Sequence, residues 1–227
     1  MPDLRSEIHY TLAWCVDHGV TVPVPLLSRM ELVGVKTFEF FRRTLSASVR
    51  KLYAGKITEP EFVDALADLI AQQLRRAWNE GMRENGLDPE KDMQPEWEQR
   101  IQGLIADEYR YVDGFAVDID RAGADQSGVD ALVTRAELWA NRYNDVVDRA
   151  RIATMQPDDH VEWVVGDTDH CETCLRLSGV VATAAQWDEL EARGIYPKSP
   201  NLACHGFNCG CERVPTDKPL TPGGIGM

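Results

Sequence analysis

The sequence predicts a mainly α protein with a small α+β module at its C-terminal end: a helical bundle built of hairpins, then a loop-rich domain. Two observations predict this. Through residues 1–155 apolar side chains recur at three- and four-residue intervals, the period of helices that each bury one face. After Pro157 that period stops, glycine and proline become frequent, and five of the six cysteines appear together. The expected organisation is a helical domain over 1–155, a module over 156–214, and a flexible tail over 215–227, whose residues are too polar to pack.

Each helix has its own signal. Residues 4–16 carry Leu4, Ile8, Leu12 and Cys15 on one stripe. Ser28-Arg29-Met30-Glu31, Thr58-Glu59-Pro60-Glu61 and Thr134-Arg135-Ala136-Glu137 each set a hydroxyl three residues before a carboxylate. In that spacing the two side chains cap each other's free backbone N–H groups, so each should start a helix. The helix after Ser28 would bury Phe38, Phe41, Leu45, Val49 and Leu52 and stop at Gly55. The helix after Thr58 would bury Phe62, Leu66, Leu69, Ile70, Leu74, Ala77 and Trp78, forming an antiparallel hairpin with its predecessor. A third segment, 96–119, carries Trp97, Ile101, Leu104, Ile105, Val112 and Phe115, with Gly103 and Gly114 as weak points and a loop at 123–128. The fourth, 135–154, places Trp139, Tyr143, Val146, Val147 and Ala150 inward. In the module, 161–165 reads as a strand and 184–193 as a helix.

The chain has 24 Lys and Arg against 37 Asp and Glu, a formal charge of −13. Such a balance disfavours broad attraction to nucleic acid or anionic membranes. The first residues lack a basic stretch followed by an apolar core, and no run approaches a membrane span, so the protein is expected to be made and used in cytosol. In a reducing compartment clustered cysteines read as metal ligands before disulfides. Cys15 stands apart and needs only a buried position.

Cys171-Glu172-Thr173-Cys174 offers two thiolates from one turn, and Cys204-His205-Gly206-Phe207-Asn208-Cys209-Gly210-Cys211 offers further donors after 29 intervening residues. Tetrahedral zinc takes four soft or borderline ligands, often as two such pairs, whereas calcium and magnesium want oxygen. The expected ligands are Cys171, Cys174, His205, and Cys209 or Cys211, with Cys204 and His170 as competitors. A site closed by protein ligands has no place for a catalytic water, so a structural Zn2+ stapling the loop-rich domain is expected. The competing readings are unligated thiols or a Cys204–Cys209 disulfide.

Catalysis finds little support. His160-Val161-Glu162 followed by Cys171-x-x-Cys174 resembles the zinc deaminase pattern, but only eight residues separate Glu162 from Cys171, too few for ligands on successive helices divided by a strand. No phosphate-cradling glycine loop or nucleophile elbow is present, and no catalytic residues are assigned. Residues 156–227 hold 5 basic against 11 acidic side chains, a net of −6, which argues against a DNA-binding finger.

Arg135-Ala136-Glu137 with Asn141, Trp163 on a strand, Cys171-x-x-Cys174, Leu177-Ser178-Gly179 and a His-Cys-x-Cys close together resemble the Mu F-like phage head morphogenesis family, over residues 134–213. The chain departs from that pattern at Ala136, where the family has threonine. It also departs after His205, where the proline is missing and one extra residue precedes Cys209. The resemblance implies a non-enzymatic minor head protein, or minor capsid protein, carried in the virion inside the capsid near the portal. Its partners would be the portal protein or the inner capsid surface, with packaged DNA as a further contact and no membrane. It would support head assembly or early genome delivery after assembly in the host cytoplasm. The alternatives from other classes are a phage-encoded effector or toxin-like enzyme and a zinc-dependent nucleic-acid-binding module.

Overall fold

The computed structural model describes residues 37–206, 209–223 and 225. The expected helix at 4–16 and the Ser28 capping box lie outside these residues. The described chain is mainly helical with a small three-stranded antiparallel sheet near its C-terminal end. Its described residues divide into two compact units, one of residues 37–75 and 99–143, the other of 76–98 and those from 144 onward.

The first unit is helical. It contains α1 (Thr37–Tyr53), the first part of α2 (Glu59–Glu84), α3 (Pro95–Tyr109), α4 (Val112–Ala124) and the first part of α5 (Val129–Thr154). The Thr58 capping box forms: the Thr58 N–H donates to Glu61 Oε2 at 2.8 Å, and the Glu61 N–H donates to Thr58 Oγ1 at 3.4 Å. Phe41, Leu45, Val49 and Leu52 of α1 are buried, as are Phe62, Leu66, Ile70 and Leu74 of α2. Phe115 on α4 sits among them, its ring centroid 6.2 Å from Phe62 and 5.1 Å from Trp139. α1 approaches α4 closely, and a Cβ on Gly123 would stand 2.5 Å from the Tyr53 carbonyl oxygen. Apolar period identifies a buried face but does not choose its partner, so the approach of α1 to α4 was not foreseen.

Three boundaries differ from expectation. The 96–119 segment breaks at Arg110, while Gly103 and Gly114 sit inside helices with open space around them. The expected loop at 123–128 begins later, because α4 continues through Ala124. Thr134 does not cap a helix: α5 already begins at Val129, and the Thr134 hydroxyl donates to the Asp130 carbonyl at 2.9 Å. Once a threonine is inside a helix its hydroxyl can satisfy itself one turn back, so the same four-residue pattern loses its capping role.

The second unit holds the sheet, in the order β2-β1-β3, from β1 (His160–Val164), β2 (Val181–Thr183) and β3 (Glu212–Pro215). Both neighbours run antiparallel to β1, with Glu162 opposite Val181 and Val214, and Trp163 opposite Arg213. Two short helices accompany it, α6 (Glu172–Leu177) and α7 (Ala184–Ala192). A Thr183–Gln186 capping box that the sequence reading did not identify starts α7. Trp163 and Trp187 are fully buried, 5.7 Å apart, and Trp187 Nε1 donates to the Val161 carbonyl at 2.8 Å.

The expected boundary near Gln156 is displaced, because this unit also takes the ends of α2 and α5. Gly81 of α2 lies directly on α5, where an added Cβ would be 2.5 Å from the Val147 carbonyl oxygen. Asn85 Nδ2 donates to the Arg151 carbonyl at 2.7 Å and to Thr154 Oγ1 at 2.8 Å. Deeper in, the fully buried Arg213 donates from Nε to Asp148 of α5 at 2.9 Å and from Nη2 to Glu191 of α7 at 2.9 Å. The tail is also corrected. The Thr216 N–H donates to the His160 carbonyl at 3.0 Å, the Thr221 N–H to the Val181 carbonyl at 2.9 Å, and Lys218 Nζ pairs with Glu162 at 2.7 Å. Backbone pairing and one ion pair hold residues 216–221, and Ile225 packs, partly buried, against the core of the unit.

Candidate metal centre

Two arms of the second unit carry the candidate ligands. The first arm leaves β1 through Gly166, whose carbonyl accepts from His170 Nε2 at 2.7 Å. Cys171 follows as the extended N-cap residue of α6, and Cys174 lies one turn into that helix. The second arm runs from α7 through a series of tight turns. The Ser199 N–H donates to the Tyr196 carbonyl, the Leu202 N–H to the Ser199 carbonyl and the His205 N–H to the Leu202 carbonyl, at 2.8–3.2 Å. His205 and Gly206 then adopt left-handed backbone with φ of 52° and 75°. At Gly206 only glycine fits, since a Cβ would stand 2.2 Å from the Lys198 carbonyl oxygen. The arms touch where a Cβ on Gly166 would be 2.5 Å from the Gly210 carbonyl oxygen, and where the Ala203 N–H reaches Thr173 Oγ1 at 3.4 Å.

This folding brings five cysteines together. Sγ atoms of Cys171, Cys174 and Cys204 lie within 4.8 Å of one another, as do those of Cys174, Cys209 and Cys211. Cys174 belongs to both groups. The Cys171–Cys174 separation is 3.4 Å and the Cys174–Cys209 separation is 3.9 Å. Those distances straddle the ~3.8 Å edge of a tetrahedron with metal–sulfur bonds of about 2.3 Å. All five thiols are free of disulfides, so the Cys204–Cys209 bridge is not formed. Cys174, Cys209 and Cys211 are buried, and Cys171 and Cys204 are half-buried.

The thiols differ in acidity for local reasons. Burial works against ionisation of Cys171, but N–H groups of Cys174 and Cys204 and the neighbouring thiols turned toward it bring its pKa down to about 6. Burial pushes the Cys174 thiol strongly upward, reinforced by Cys211 and Cys171. Burial raises Cys211 to about 11. Cys204 is also raised by burial, against the N–H of Gly206. Five thiols this close cannot all ionise side by side in a dry pocket, and a soft divalent cation is the group that would let several do so together.

Of the residues the sequence singled out, Cys171, Cys174, Cys209 and Cys211 converge here. Cys204, held there as a competitor, joins them. His205 is in neither group: its ring is exposed, and Nδ1 donates to the Pro200 carbonyl at 3.1 Å. His170 is engaged by the Gly166 carbonyl and braces the first arm. The sequence reading missed Arg213 and Glu191, which anchor the centre's surroundings. An arginine in a four-residue strand two positions after Cys211 was the available signal, but its partners lie 65 and 22 residues away.

No family model matches this chain, and neither curated proteins nor solved structures include a significant match to it. None of the described helices is long and apolar enough to cross a membrane.

Proposed function

We propose that the cysteine cluster holds a structural Zn2+ that staples the two arms of the second unit, and that the protein is a non-enzymatic phage minor head protein. The zinc reading rests on one observation: five reduced cysteines from two separate arms form two groups of three close sulfurs that share Cys174, beside a buried core. An all-protein shell of soft donors suits zinc and leaves no open coordination position for chemistry. Metal binding would then contribute folding free energy to a region that has short strands and many turns.

The head-protein reading is supported by the order of features along the chain. A helix containing Arg135 and Glu137 precedes the Trp163 strand, the Cys171-x-x-Cys174 turn and the cysteine-rich close, as in the Mu F-like family. On this reading the protein is carried in the virion, inside the capsid near the portal, and binds the portal protein or the inner capsid surface. It acts in head assembly or early genome delivery, and the zinc keeps a loop surface rigid enough to be recognised. Co-expression with the portal protein of the same phage, followed by affinity purification, tests this. Stoichiometric co-purification is expected, and a purified virion whose proteome lacks this chain would overturn it.

A further inference from the structure

We propose that the centre is also a redox switch: a peroxide joins Cys171 to Cys174 in a disulfide, which releases the metal and frees the second arm. The inference rests on the zinc reading above and adds the reaction that ends metal binding. Cys171 is the N-cap residue of α6 and Cys174 its third residue, and side chains at those two positions converge at a helix start. Thr58 and Glu61 occupy the same two positions on α2, with their side-chain oxygens 2.8 Å apart. In α6 the converging atoms are two sulfurs 3.4 Å apart, so closing to the ~2.05 Å of a disulfide takes an approach of about 1.4 Å. The Leu175 N–H donates to the Cys171 carbonyl at 3.0 Å, so the helix keeps this pair together whether or not the arms stay in contact. A pair drawn from both arms, such as Cys174 and Cys209 at 3.9 Å, depends on the arms remaining docked.

Exposure sets the order of events. Cys171 is half-buried and Cys174 buried, so a small oxidant meets the Cys171 sulfur first. That sulfur attacks an oxygen of hydrogen peroxide, the O–O bond breaks, and the sulfur is oxidised to a sulfenic acid while the other oxygen leaves as water. The Cys174 sulfur then attacks the Cys171 sulfur. An S–S bond forms, the S–O bond breaks, and the oxygen leaves as a second water. Two thiolates, two protons and one hydrogen peroxide thus become one disulfide and two waters, and zinc, which has no redox chemistry of its own, departs as Zn2+. Because Cys174 belongs to both groups of close sulfurs, this single bond disarms both. Cys204, Cys209 and Cys211 are left on the second arm, and no covalent link joins that arm to the first. The arms keep the long bond from the Ala203 N–H to Thr173 Oγ1, at 3.4 Å, and the approach of Gly166 to Gly210. Cys174, Cys209 and Cys211 share a core with Trp163 and Trp187, so parting the arms opens that core.

The full chain, reduced, loaded with zinc and then treated with one equivalent of hydrogen peroxide, tests the switch. Metal release is followed with a chromogenic chelator, and the thiols that survive are alkylated and mapped by peptide mass. Trypsin leaves Cys171 and Cys174 in one peptide, 152–176, and Cys204, Cys209 and Cys211 in another, 199–213. The expected result is one zinc released per chain, a 152–176 peptide lighter by two hydrogens and unalkylated, and a 199–213 peptide alkylated at all its cysteines. Hydrogen exchange should rise in 199–213 and stay slow in the buried helices of the first unit, and a dithiol reductant with fresh Zn2+ should reverse each change. Peptides linked to each other, a bridge within 199–213, Cys171 carried on to sulfinic or sulfonic acid, or a disulfide formed with the zinc retained would each overturn the switch while leaving the zinc reading standing. A reduced chain that takes up no zinc would overturn the zinc reading, and the release step with it.

Discussion

At the scale of single residues, two positions carry much of the second unit. Gly206 combines a φ of 75° with a backbone oxygen 2.2 Å from where a side chain would begin. Gly206→Ala therefore adds backbone strain of about 1–3 kcal/mol and moves the N–H that supports Cys204. The measurement is zinc affinity by competition with a chelator, and a clear weakening is expected. Glu191 is the second. Burial works against its ionisation, but the guanidinium groups of Arg213 and Arg149 overcome that and hold its carboxyl below the usual range. Because the folded value is depressed, its contribution is complete above the unfolded carboxylate pKa and is lost as pH falls through the lower folded value. Denaturation of the wild type from neutral to acidic pH should show stability falling in that window. Glu191→Gln, which leaves Arg213 with Asp148 alone among its ion-pair partners, should cost about 3–5 kcal/mol at neutral pH and flatten the profile there.

At the scale of elements, what could be foreseen depended on how local the cause was. The Thr58 box, the strand at His160–Val164 and the helix at Ala184–Ala192 follow from neighbours within four residues, and period and capping chemistry located them. Thr134 carried the same box pattern yet lies inside α5, because the helix had already started at Val129. The module boundary was not legible either. Gly81 and Asn85 belong by sequence to a long amphipathic helix, and only the chain 66–69 residues later shows why one is small and the other polar. The cysteine spacing announced a cluster of possible metal ligands, but it could not choose between the adjacent Cys204 and His205, since a left-handed turn decides which side chain faces the cluster. Gly81→Leu tests the α2–α5 approach. Its side chain would meet the Val147 carbonyl and the Ala150 Cβ, so a loss of about 1–3 kcal/mol is expected in chemical denaturation.

At the scale of the whole molecule, the two units gain their stability by different means. The first buries aromatic and aliphatic side chains from five helices, with Phe115 packed beside Phe62 and Trp139. The second has three short strands, many turns, one buried ion-pair network and a cluster of cysteines inside its core. Removing the metal with a strong chelator should therefore loosen the second unit selectively. Hydrogen exchange is expected to rise in residues 160–215 and to stay slow in the buried helical segments of the first unit. The most direct test of the central claim is the metal content of protein purified under reducing conditions, by native mass spectrometry with elemental analysis. One zinc per chain, lost on acidification or treatment with a thiol-reactive reagent, is the expected result, and a fully reduced, folded chain at its apoprotein mass with no bound metal would contradict it.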